Sequence, residues 1–136
     1  VCGSRILHHL DLDVALAEVA RVLRPAGSAV FYEPHGQNPA VNAYRRSTPE
    51  ERTDDEYPFL EEDLVAADDR FGDVRVRGFV LLALGSLLLR GRPGFDALRA
   101  RLARLDTAIF PRCPRMQRLA WITVVELGRP SPHGRA

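Results

Sequence analysis

Lysine is missing altogether: all 19 basic residues are arginine, set against 18 acids for a formal net charge of +1. A nearly neutral chain has no long-range pull toward a polyanion, so nucleic acid is not expected as a partner. The arginines read as a compositional bias of the source. Cysteine is scarce too. Cys2 and Cys113 form neither a CxxC pair nor the dense framework of a small secreted domain, so a reduced, cytoplasmic setting is expected. The longest apolar run, FVLLALGSLLL from Phe79 to Leu89, contains Gly85 and Ser86 and is about half of what a bilayer span needs. It reads as core, and no membrane partner is expected. The opening VCGSRI lacks the basic and long apolar regions of a secretion signal. It enters abruptly, without a start methionine, so the chain is expected to be part of a longer product. There is no internal repeat. No GxSxG occurs and no serine or cysteine lies in a nucleophile turn, which removes a hydrolase from consideration.

What is present is an ordinary globular composition. With 136 residues, 46% hydrophobic and 27% charged, the chain is one domain. It is able to bury about two thirds of its unfolded surface. Residues Asp13 to Leu23, DVALAEVARVL, place Leu16, Val19, Ala20 and Leu23 at helical spacing. Asp11 or Asp13 can cap that helix, and RPAG ends it. SAVFYE, Ser28 to Glu33, has the β-branched and aromatic content of a buried strand, stopped by Pro34. Strand fragment, helix, turn and strand make most of a βαβ unit, which predicts parallel pairing.

Further along, a polar loop from Gly36 leads into a modest helix from about Pro39. Thr48 to Pro58 is acidic and irregular, and its run Glu50 to Glu56 reads as solvated surface rather than a magnesium site. A helix is predicted over 59–71, with Gly72 breaking it, and a strand over 74–79. Residues 80–89 fit either a strand end or a buried helix. A helix follows over 95–109, then a strand over 119–127. The arginines from Arg99 to Arg104 fall on a helix's wet side, with no aromatic interleaving for nucleic acid.

The stretch ILHHLDLDVALAEVARVLRPAGSAVFYEP closely resembles the latter half of class I methyltransferases that use S-adenosylmethionine. In them a strand ends in an LHH-like segment, a helix carries xxALxExxRVLxPGG, and the next strand ends in an acid and proline. The equivalents here are Leu7, His8 and His9, then Ala15 to Pro25, then Phe31 to Pro34, with Ala26 and Gly27 for the double glycine. EPHGQNPAVNAYRRSTPEERTDDEYPF is similar to a type 11-like, small-molecule branch that has EPLGHNP-like, YRRLTP and RTxDEHP segments. AWITVVEL fits the closing strand.

The resemblance implies an α/β fold: a partial Rossmann-like sheet, mostly parallel with an antiparallel final strand pair. The N-terminal cofactor-binding strands would be lacking, because the chain has neither GxGxG nor the second acidic strand end. Residues 1–128 would be the C-terminal part of a methyltransferase domain, starting at the end of its fourth strand, and 129–136 a flexible tail. Such a half-sheet would have an open apolar edge, so a homodimer or a separate N-terminal half is the expected protein partner.

Three readings of His8 and His9 stand beside one another. A metal site has little support, since neighbours on a strand point to opposite faces and no ligand set surrounds them, so no metal is expected. Packing at a strand end is the structural alternative. The resemblance implies a third: Gly3, Ser4 and Leu7 near the cofactor, S-adenosylmethionine, with His8 or His9 facing a small-molecule acceptor and able to take its proton. Glu33 and His35 at the next strand end would meet substrate, or Glu33 would cap the following helix or pair with Arg45. Asn38 and Tyr44 would line the acceptor pocket or brace its loop.

Overall fold

The computed structural model describes residues 1–48, 59–60 and 62–131. The acidic run Glu50 to Glu56 and the end of the expected tail lie outside them. The order is β1 (Cys2–Ser4), a 3-10 turn Leu7–His9, α1 (Leu12–Val22), β2 (Ser28–Pro34), α2 (Pro39–Ser47), α3 (Asp63–Arg70) and β3 (Phe71–Phe79). A 3-10 run Leu82–Leu89, α4 (Phe95–Ile109), a 3-10 segment Pro114–Leu119 and β4 (Ile122–Pro130) complete it.

The four strands form one sheet in the order β1-β2-β4-β3. β1 pairs parallel with β2, while β4 pairs antiparallel with β2 and with β3. The sheet is therefore mixed and dominated by antiparallel pairing, which overturns the mostly parallel sheet expected from sequence. The cause is the position of one strand. β2 and β3 run the same way but never touch, because β4 returns between them and takes the ladder of both.

Alternation along β2 buries Ala29, Phe31 and Glu33 and exposes Val30 and Tyr32. The buried face packs on α1 and α3 through Leu16, Ala20 and Ala67, with Val125 and Leu127 of β4 in the same core. The opposite face carries Val30, Tyr32, Arg75 and Arg77, all exposed. The Asp11 side chain caps α1 by accepting from Val14 N at 3.1 Å. Strand β4 continues through Arg129 and Pro130, where the sequence suggested a tail. Pro130 is in register with Phe71, and the Arg129 guanidinium donates to the Gly72 carbonyl at 2.6 Å.

Two places depart from the predicted elements for local reasons. β3 begins at Phe71, immediately after α3, so Gly72 lies within the strand rather than breaking a helix. Beyond β3, Val80 adopts φ 63°, a left-handed conformation that costs a β-branched residue about 1–2 kcal/mol. The turn is held from across the chain: the buried Asp106 carboxylate on α4 accepts from Leu81 N at 3.0 Å, Leu82 N at 2.7 Å and Ala83 N at 3.2 Å. The apolar run 82–89 thereby becomes a 3-10 segment packed on α4.

Gly78 of β3 lies against the start of β4. Its N–H donates to Gln117 Oε1 at 3.0 Å, and an added Cβ would fall 2.8 Å from the Gln117 carbonyl oxygen and from Ala120 Cβ. Backbone cannot swing aside as a side chain can. Gly78→Ala is expected to cost about 2 kcal/mol in chemical denaturation, and an unchanged midpoint would mean that residues 114–120 yield.

Candidate functional site

The carboxyl ends of the parallel pair β1 and β2 converge on one buried carboxylate. Glu33, with 0% of its surface exposed, is the last inward position of β2. Its Oε1 accepts from Ile6 N and Leu7 N, both at 3.0 Å, and its Oε2 lies 2.6 Å from Nδ1 of His8. A buried carboxylate is costly unless its lone pairs are taken up, and here three donors take them. Because an ionised carboxylate only accepts, the network assigns the hydrogen between the two side chains to His8 Nδ1. His8 is buried, with 6% exposure.

Glu33 therefore does not cap the following helix. The following helix is capped by Asn38, whose Oδ1 accepts from Ala40 N at 2.9 Å and Val41 N at 3.2 Å. The Asn38 amide also donates to the Leu119 carbonyl at 2.5 Å, which ties α2 to the segment before β4. His9 is exposed, yet its ring centroid lies 4.2 Å from that of His8 at a 39° tilt. Residues 7–9 form a 3-10 turn, not a strand. Successive side chains there are about 120° apart, so the two rings lie together instead of on opposite faces. Among the described residues no group of three or more metal-ligating side chains forms.

A cavity of about 170 Å³ opens beside His8, lined by Leu10, Leu12, Phe59 and Asp63. Phe59 reaches it through a single bridge to His35, whose N–H donates to the Trp121 carbonyl at 2.7 Å. His35 is buried on the other side of that bridge and lines a second cavity, with Thr123 of β4. Tyr44 projects from α2, exposed. Of the residues singled out from sequence, Leu7, His8, His9 and Glu33 are thus brought together. His35 and Asn38 lie toward β4, and Tyr44 is apart from both.

Phe59, Asp63, Gln117 and Thr123 were missed. Phe59 and Asp63 line the cavity beside His8, and Gln117 and Thr123 the one beside His35; no spacing in the chain could have found them, since the cavities depend on the return of β4 and the bridge at residue 35.

The residues expected near a nucleotide cofactor do not by themselves fit one. The space beside Gly3 is filled: an added Cβ would lie 2.7 Å from the Phe31 ring and 2.9 Å from Ile6 Cγ2. Leu7 is buried in the core, and of the three only Ser4 is fully exposed. Gly3 is small because Phe31 crosses over it.

No protein-family model matches the chain, and no curated protein matches it in sequence. Among solved structures, the fold is similar to phosphoethanolamine N-methyltransferase 2 of Haemonchus contortus in complex with S-adenosyl-L-methionine. The TM-score is 0.50, with 15% identity over 96% of this chain and 33% of that one. The same enzyme in complex with phosphomonomethylethanolamine and S-adenosylhomocysteine gives 0.50, with 14% identity and the same coverage. At this identity the likeness is one of fold alone. The chain spans about a third of the length of the structures it resembles. No helix among the described residues is long and apolar enough to cross a membrane.

Proposed function

We propose that the chain is the C-terminal part of an S-adenosylmethionine-dependent methyltransferase acting on a small-molecule acceptor, with His8 as the group that meets the acceptor. The observation that carries this reading is the Glu33 clamp: a fully buried carboxylate that orients His8 at the carboxyl end of a parallel strand pair. Methyl transfer depends chiefly on holding a nucleophile in line with the departing methyl group, and a base serves acceptors that must lose a proton. Glu33 fixes the His8 ring and its tautomer, and Nε2 is then the nitrogen that would accept that proton. Leu10, Leu12 and Phe59 would exclude water around it. S-adenosylmethionine, when bound, would supply the methyl group as a sulfonium. Most of its contacts would come from elements other than the described residues, since Gly3 and Leu7 are already committed to packing.

Titrating S-adenosylhomocysteine into the isolated chain tests this directly. Weak binding, on the order of millimolar, is expected to shift the amide resonances of Ser4 to His9 and few others. If those amides stay still while the ligand is present at millimolar concentration, the methyl-transfer reading is lost. Micromolar affinity by calorimetry would instead show the donor site to be complete in this chain.

The exposed Val30 and Tyr32 favour a second reading, a non-catalytic subunit that associates through its sheet. Among the described residues β1 pairs only with β2, which leaves its other edge open. A monomeric mass across micromolar to millimolar concentrations would remove this alternative.

A further inference from the structure

The second cavity, about 290 Å³ and open to solvent, is lined by His35, Leu64 of α3, Val76 of β3, Thr123 of β4 and the segment that holds Pro114, Arg115, Gln117 and Arg118. Its volume is near the lower end for small-ligand sites. Thr123 is the informative residue. It is 1% exposed, near the start of the central strand β4, and its Oγ1 makes no hydrogen bond among the described residues. A valine would fill the same volume without stranding a hydroxyl, so threonine there calls for an explanation by ligand rather than by packing.

Among the described residues the charge around that hydroxyl has one sign. Arg115 and Arg118 bring guanidinium groups, and among the described residues no carboxylate lines the cavity. Gln117 accepts from Gly78 N through its oxygen, so its remaining hydrogen-bonding group is the amide nitrogen, a donor. Donors and cations against Leu64, Val76 and Pro114 suit a small molecule with an anionic head and a short apolar body. We propose that this cavity binds the oxyanion of such a molecule, a carboxylate or a phosphate, through Arg115 and the Thr123 hydroxyl.

As the site of a methyl acceptor this deepens the methyl-transfer reading and rests on it. As an anion site it stands alone. The test is a calorimetric titration of phenyl phosphate, benzoate and the neutral benzyl alcohol into the chain, its Thr123→Val variant and its Arg115→Ala variant. One or both anions are expected to bind at least tenfold more tightly than the alcohol, and the preferred one identifies the head group. Each variant is expected to weaken that anion at least fivefold. Thr123→Val is expected to melt at or above the parent temperature, which separates lost binding from lost folding, and Arg115 is exposed enough that its truncation leaves the fold intact. The proposal is overturned if neither anion surpasses the alcohol, or if either variant keeps its affinity to within fivefold. Because no methyl donor enters the titration, a negative result leaves the methyl-transfer reading to its own test with S-adenosylhomocysteine.

Discussion

Replacing Glu33 by alanine is expected to lower the stability of the chain by about 4 kcal/mol. The substitution removes a carboxylate that satisfies Ile6 N, Leu7 N and His8 Nδ1, and strands the last two where water has little access. Glu33→Gln separates shape from charge. Its oxygen can still accept from the two backbone groups, but its amide nitrogen faces the donor on His8. The ring must then give up that hydrogen or turn away, at a cost of about 1–2 kcal/mol. Urea denaturation measures both losses. Nitrogen chemical shifts of the histidine ring report the tautomer, and the glutamine variant is expected to move the hydrogen from Nδ1 to Nε2. An alanine variant less than about 1 kcal/mol below the parent would mean that solvent takes up the stranded donors, and the clamp would lose its role in holding His8.

Asp106→Ala is expected to cost about 3 kcal/mol, and Asp106→Asn about half of that. Asp106 accepts from three consecutive amides, and those contacts hold the left-handed turn at Val80. Without them the 3-10 run and α4, which pack mainly on each other, lose their tether to the sheet. Hydrogen exchange is the discriminating measurement. The amides of Leu81, Leu82 and Ala83 should lose protection first, while those of β2 and β4 keep theirs until the whole sheet opens. Uniform loss across the sheet would mean that the turn is part of the main cooperative unit instead.

Local elements were legible in the sequence to the extent that their causes are local. α1 follows from Leu16 and Ala20 recurring on one face behind an aspartate cap, and β2 from β-branched and aromatic residues ending at Pro34. Sheet order was not legible in this way. The partners of β4 are set by long-range register, Phe31 with Val125 and Val76 with Val125, and no short window encodes such a choice. The same holds for the site. His8 and Glu33 each stood out, but their pairing depends on the chain turning at residues 7–9, which the apolar setting of RILHHL disguised as a strand. Asp106 and Thr123 were invisible because an acid on a helix and a threonine in a strand are ordinary until their surroundings are known.

The place of β4 between two strands that precede it also sets the order in which the molecule can assemble. As the chain leaves the ribosome, β2 and β3 emerge before β4, and each waits with an unpaired edge for a neighbour made later than either. Ser28 finds Gly128 only across a hundred residues of intervening chain. Closure of so wide a loop is slow, and unpaired ladders invite the wrong partner meanwhile. Nascent chains halted before Ile122 should therefore depend on chaperones, and that dependence should end once β4 has been made.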